Sequence, residues 1–277
     1  MLKIREAVVE DAAILWRAEA ETAETSGQLV SMPEELELRT FEGKIAGAVA
    51  GVLASKIVQT ALRHAADRVR TEVLRGLLPP ASFRERLADI PPGERDGWLD
   101  LLWELNDIPV DDPELPQGCV PYLPCPVATV LEAVERAGVT CNDVFVDVGS
   151  GTGRTAFLAN LLSGASCVGL EIQPALVEAS RKCAARLNLG RMQFVEGDAA
   201  DRLRFIDVGT VFFLYCPFDH QRVNRVLNDL QAIARTRQIQ ICCVQMPALE
   251  RPWLLRVPSA SVDLDIYRST FEPGGRL

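Results

Sequence analysis

Val144-Phe145-Val146-Asp147-Val148-Gly149-Ser150-Gly151-Thr152-Gly153 is the stretch from which the fold is read. Its first half is a short apolar run of β-branched and aromatic residues, the composition of a buried parallel strand. Its second half sets three glycines at alternate positions, where a left-handed backbone and a close ligand approach meet no Cβ. A helical pattern follows, with apolar Ala156, Phe157, Leu158, Leu161 and Leu162. Strand, glycine turn and helix open a nucleotide-binding βαβ unit, in which the ligand sits at the helix N-terminus.

Two residues beside the glycines narrow the ligand. A dinucleotide fingerprint requires Gly-x-Gly-x-x-Gly. Gly149 and Gly151 fit it, but Arg154 stands at the third position and the glycine falls at 153. Asp147 precedes the first glycine by two, and a carboxylate there repels a pyrophosphate and suits a cation. This arrangement of Asp147, Gly149, Gly151 and Gly153 resembles motif I of the class I S-adenosylmethionine (SAM) methyltransferases. The resemblance implies a cofactor with a sulfonium and an ammonium and no phosphate.

Outward from the turn, the chain alternates strand and helix, the pattern of a doubly wound sheet. A helix over 127–138 leads in and is closed by Gly138. Strands are expected over 143–148, 167–171, 192–196, 208–215 and 239–245. Helices are expected between them over 153–163, 174–187, 200–206 and 219–235, with Pro174 suited to a first helical turn. Apolar segments at 253–257 and 262–267 offer two more strands. The pattern itself carries five strands. The family resemblance implies seven, in a mostly parallel Rossmann-like α/β sheet.

The strand ends supply candidate site residues. Glu171 lies 20 residues after Gly151, where a carboxylate can accept hydrogen bonds from both ribose hydroxyls. Asp198 follows the third strand and matches the family position that meets the adenine amino group; it also suits the N-cap of the short helix that follows. The fourth strand ends Leu214-Tyr215-Cys216-Pro217-Phe218-Asp219. Amino-directed methyltransferases carry Asn/Asp-Pro-Pro-Tyr/Phe here. This chain keeps Pro217 and Phe218 but has Tyr215 for the polar residue and Cys216 for the first proline, a departure from the nucleobase N-methylation pattern. Asp219 also suits a helix cap. The resemblance implies cofactor contacts at Asp147, Gly149, Ser150, Gly151, Thr152 and Gly153, at Glu171 and Ile172, at Asp198 and Ala199, and at Tyr215.

Upstream, Val120-Pro121-Tyr122-Leu123-Pro124, taken with the turn and Glu171-Ile172-Gln173-Pro174, resembles the seven-strand protein-lysine methyltransferases that lack a SET domain and their small prokaryotic relatives. In these a Tyr-x-Pro segment folds over the cofactor. The resemblance, which spans about 118–245, makes Tyr122 an active-site lid and, with Tyr215 and Phe218, an acceptor-positioning candidate. Residues 1–117 read differently. Amphipathic helices are expected over 6–25 and 34–76, the latter with Gly43, Gly47 and Gly51 on one bare face, and shorter ones over 81–89 and 94–106. The Pro- and Asp-rich stretch from Asp107 to Pro126 reads as a linker. The expected organisation is an all-α N-terminal domain, 1–117, followed by a SAM-binding domain, 118–277.

Composition bounds the function. Of 277 residues, 48% are apolar, enough for a real core. The eight cysteines show no Cys-x-x-Cys spacing and fit reduced thiols, and with only His64 and His220 no His-rich metal site is expected. No apolar signal core follows Met1, and the longest apolar run is far short of a membrane span, so a soluble cytoplasmic protein without membrane partners is expected. Residues 1–117 hold 13 Lys and Arg against 22 Asp and Glu; residues 118–277 hold 16 against 16. All of the net charge of −9 thus lies upstream. Such acidity argues against a nucleic-acid partner and is compatible with a cationic substrate, while a solvated acidic helical surface is the reading that charge alone favours. The expected function is SAM-dependent methyl transfer yielding S-adenosylhomocysteine (SAH), to a protein lysine or other amine. A small-molecule O- or N-methyltransferase, a non-catalytic SAM-binding module and a dinucleotide oxidoreductase are the competing readings.

Overall fold

The computed structural model describes residues 56–105, 108–215, 219–258 and 261–270. The helices expected over 6–25 and from 34 to 55, with the bare glycine face at 43, 47 and 51, lie outside the described residues. Residues 56–74 are helical. Then come α1 (Pro80–Asp89), α2 (Arg95–Trp103), α3 (Val127–Arg136), β1 (Val144–Val148), α4 (Arg154–Ser163), β2 (Ser166–Glu171), α5 (Pro174–Arg186), β3 (Met192–Glu196), α6 (Ala199–Arg202), β4 (Val211–Tyr215), α7 (His220–Ala234), β5 (Gln240–Val244), β6 (Leu254–Val257) and β7 (Leu264–Ser269).

The seven strands form one sheet in the order β3-β2-β1-β4-β5-β7-β6. β1 to β5 run parallel, and β7 enters antiparallel between β5 and β6. The chain leaves β1 towards β2 and β3, then returns to its other side as β4. That reversal is the switch point, and ligands bind beyond the strand ends there. β4 starts at Val211, three residues later than its apolar run suggests. Gly209 turns back on Ile206, leaving Val208 half in solvent.

Side-chain alternation explains how both sheet faces are covered. Val146 and Val148 share an apolar cluster with Val168, Leu170, Phe212 and Leu214, closed by Val226, Leu227 and Leu230 of α7. The alternate residues face the other way. There Phe145 meets Phe213, and Phe157 of α4 meets Phe194 of β3, with ring centroids 5.9 and 5.4 Å apart.

The helices α1 and α2 fall in one compact unit with the sheet, Val69–Leu277. The reason is aromatic packing. Phe83 of α1 stacks on Trp98 of α2 at 6.3 Å, and Trp103 of α2 packs on Phe157 of α4 at 5.8 Å, all fully buried. Each such side chain contributes about 2–3 kcal/mol on burial, so α1 and α2 are part of the unit that holds the sheet. The segment 108–124 crosses the carboxyl ends of the strands as a strap, bonded to Gln173, Thr152 and Asp219.

Candidate active site

The glycine turn is built by three left-handed residues, Gly149, Gly151 and Gly153, with φ of +81°, +54° and +82°. The N–H groups of Gly149 and Ser150 donate to the Leu170 carbonyl, at 2.8 and 3.1 Å, so the turn is pinned to β2. At the end of that strand Glu171 completes the hold. Its Oε2 accepts from Gly151 N at 2.8 Å and its Oε1 from Gln173 N at 2.9 Å. Burial raises the pKa of Glu171, and the N–H bonds of Gln173, Gly151 and Ile172 pull it down. A carboxylate has about four acceptor positions, so these bonds leave room for a hydroxyl donor.

Asp147 is different. It is 3% exposed, and its Oδ2 has no hydrogen-bond partner. Burial holds the carboxyl well above the usual carboxylate range, the Glu171 charge pushes it further, and an N–H bond from Ala156 opposes both. Ser150 Oγ, at the same turn, is also buried without a partner. A buried acceptor left unsatisfied costs about 1–3 kcal/mol unless something binds it. These residues fit a cationic cofactor: a bare carboxylate oxygen, a turn without side chains, and a second carboxylate with spare acceptor positions.

Tyr122 covers the turn. A Cβ on Gly151 would lie 2.1 Å from the Tyr122 ring, so only glycine allows this approach. The Tyr122 hydroxyl is 2.8 Å from Thr152 Oγ1. Burial raises the phenol pKa, opposed by that hydrogen bond. Asp111 fixes the strap from behind, as its Oδ1 accepts from Tyr122 N at 2.9 Å and from Gln173 Nε2 at 2.8 Å. Asp112 N donates to Gln173 Oε1 at 2.8 Å. Gln173, one of the few buried polar residues, thus joins the strap to the β2 end.

Asp198 caps α6 through Ala200 N at 2.9 Å, the capping role expected for it, and its other oxygen pairs with Arg222 of α7. Asp219 caps α7 through the N–H groups of Gln221 and Arg222. Tyr215, half-buried, ends β4 beside β1. Phe218, with Cys216 and Pro217, lies outside the described residues. The fold therefore brings Asp147, the turn, Glu171 and Tyr122 together, with Asp198–Ala199 and Tyr215 at the flanking strand ends.

Sequence reading missed four contributors: Asp111, Gln173, Arg222 and the Arg154 cluster. Arg154, at the first turn of α4, is buried and pairs with Asp96 at 2.6 Å and Asp100 at 3.1 Å, with Trp103 beside its guanidinium at 5.9 Å. Burial raises the Asp100 pKa, and the Arg154 charge lowers it. The only signal for this cluster was negative, the absence of glycine at 154.

Residues 140–244 match the family model of a methyltransferase domain. That match runs through β5 and leaves β6 and β7 outside. No curated protein sequence matches the chain. Among solved structures, an RNA methyltransferase from Salinibacter ruber in complex with SAH is 28% identical, with 56% of this chain and 97% of that one aligned, at a TM-score of 0.40. The yhhF protein of Escherichia coli is 17% identical over 52% of this chain and 84% of its own, at 0.40. A geranyl diphosphate C-methyltransferase from Streptomyces coelicolor A3(2) is 13% identical over 42% and 45%, at 0.36. Over 140–244 the chain is thus similar to a methyltransferase domain, and its seven strands form a Rossmann-like sheet. Among the described residues no helix is long and apolar enough to cross a membrane.

Proposed function

We propose that this SAM-dependent methyltransferase acts on an amine, the side chain of a protein lysine. One observation carries the proposal. From Asp96 to Glu135 the chain has nine acidic residues and no Lys, Arg or His. This stretch runs from within α2 through the strap that bears Tyr122; Asp96 and Asp100 are paired with Arg154, and the exposed acids of the strap, Asp112 and Glu114, are the ones that attract an approaching cation. Val120 and Leu123, on either side of Tyr122, are exposed and suit a peptide chain more than a small polar metabolite. The earlier expectation against nucleic acid rested on net charge and draws no support from the relatives, one of which is an RNA methyltransferase.

In this proposal Asp147 faces the cationic part of the cofactor, Glu171 the ribose hydroxyls and Asp198 the adenine amino group. When bound, SAM supplies a methyl group already activated by the sulfonium charge. The chain's own task is alignment in a dry pocket. A lysine arrives as an ammonium, attracted by the strap carboxylates, and must lose its proton to solvent before its nitrogen can attack. Burial under the Tyr122 ring favours the neutral amine. The Tyr122 hydroxyl, held by Thr152, orients the acceptor.

Purified protein is incubated with methyl-labelled SAM and a cell extract, and protein and metabolite fractions are read by mass spectrometry. Label on lysine in the protein fraction is expected. Label confined to small molecules would give the small-molecule reading instead, and no label with tight SAM binding would give the binding-module reading. Tyr122→Phe is expected to lower turnover about tenfold or more while SAM binding holds within about twofold.

A further inference from the structure

Arg222 is tied to three parts of the molecule at once. Its Nη1 donates to Asp198 Oδ2, while Asp198 Oδ1 is already used by Ala200 N. Its Nε donates to the Gln117 carbonyl of the strap at 2.9 Å. Its main-chain N–H is fixed by the Asp219 cap at 3.0 Å. The strap is pressed against the same spot. Gly118 has φ +86°, its carbonyl accepts from Asp219 N at 2.9 Å, and a Cβ there would lie 2.4 Å from the Asp219 carboxylate. The Arg222 and Asp198 side chains are 14% and 22% exposed, so the pair is only partly screened.

These contacts set up a competition. One oxygen of Asp198 accepts from Ala200 N and the other from a guanidinium, so an adenine amino group must use a remaining lone pair beside a charged donor. A charge-assisted donor has a stronger claim on a carboxylate than a neutral amine. The adenine is common to SAM and SAH, so the competition acts on substrate and product alike. After methyl transfer the sulfonium is gone, the hold of Asp147 on the ligand weakens, and the adenine end remains as an anchor of the product.

We propose that Arg222 is a positioning residue that competes with the adenine amino group for Asp198 and thereby speeds the release of SAH. The proposal rests on the assignment of Asp198 to the adenine. In it, Arg222 lowers the affinity for both forms of the cofactor and re-forms its pair as the product leaves.

The test is titration of the full chain with SAH, SAM and adenosine, at low and high salt, for wild type, Arg222→Met, Arg222→Lys and Asp198→Asn, with a thermal melt for each. Arg222→Met is expected to bind SAH and adenosine about fivefold more tightly, the scale of a partly exposed ion pair. Arg222→Lys keeps a cationic donor and is expected to stay near wild type. In wild type, rising salt screens the pair, so SAH affinity is expected to rise with salt; in Arg222→Met it is expected to be flat. Equal or weaker SAH binding by Arg222→Met at an unchanged melting temperature would overturn the proposal. If Arg222→Met folds poorly, the wild-type salt series decides, and flat or falling affinity overturns it. Wild-type binding of SAM and SAH with no effect of Asp198→Asn refutes the adenine assignment and the competition together. If wild type binds neither SAM nor SAH, the cofactor assignment falls first and this proposal with it.

Discussion

The ends of β1 and β2 each carry a buried carboxylate, and the two have opposite surroundings. Glu171 gives both oxygens to main-chain N–H groups and so shapes the turn. Asp147, one strand away, leaves an oxygen without a partner behind the same glycines. A carboxylate tied to backbone through both oxygens maintains geometry and keeps its remaining lone pairs for a ligand. One left bare is costly to the folded chain and favourable to a cation that reaches it. The contrast separates an acid that also holds the turn from one that serves binding alone, although both are hardly exposed and both are raised in pKa by burial.

The largest effect is expected from Glu171→Ala. Two main-chain N–H groups lose their acceptor, at about 1–3 kcal/mol each, and the turn loses its tie to β2. Titration with SAM should show a loss of more than about 100-fold, together with a lower melting temperature. Retained SAM binding would break the distinction between the two acids.

Asp147→Asn should act in the opposite direction on stability. Replacing a bare buried carboxyl by a neutral amide leaves the ligand-free protein equally stable or about 1 kcal/mol more so, while SAM affinity falls about tenfold. SAH lacks the sulfonium, so its affinity should fall less. An equal loss for SAM and SAH would sharpen the picture by placing the ammonium, not the sulfonium, against Asp147.

The two acids also predict a pH dependence. Both carboxyls titrate higher in the folded state than in an unfolded chain, so the folded state binds more protons in the window above the usual carboxylate range. Stability therefore falls as pH rises through that window. A cation favours the ionised acid, so SAM affinity should rise with pH over the same range. The check is SAM affinity against pH for wild type and Asp147→Asn; persistence of the full slope in the variant would remove Asp147 from the cation site.

The last effect concerns the turn and is read on stability rather than on cofactor affinity. Gly151→Ala forces a side chain into a left-handed residue and into the Tyr122 ring, costing about 1–3 kcal/mol from the backbone alone. Adding Tyr122→Ala should recover the steric part and leave the backbone part, which a pair of thermal melts would resolve.

Much of this site is local and hence visible in sequence. Val144–Gly153 reads as strand and turn because its composition and its glycines act within ten residues. Glu171 was reachable by spacing, since a βα unit carries the next strand end to the same edge. Asp198 and Asp219 were legible as caps for the same reason, and both cap their helices. What escaped were pairings between distant positions. The bonds of Asp111 to Gln173, of Arg154 to Asp96 and of Arg222 to Asp198 span 62, 58 and 24 residues, and no local pattern marks either partner. The packing of α1 and α2 on the sheet's unit was hidden for a similar reason. Proline and aspartate mark an irregular segment, but irregular chain can join two domains or lie across one.

Sequence by itself determined the order of strands and helices along the carboxyl half, the glycine turn and the acids that follow each strand, because side-chain period and turn chemistry are set by near neighbours. Packing settled that β7 lies between β5 and β6, that α1 and α2 join the sheet's unit, that Tyr122 covers Gly151, and that Glu171 is tied to backbone while Asp147 is bare. Those outcomes depend on which distant surfaces exclude water from one another and which buried polar atoms find partners there, and both are settled only when the whole unit has packed.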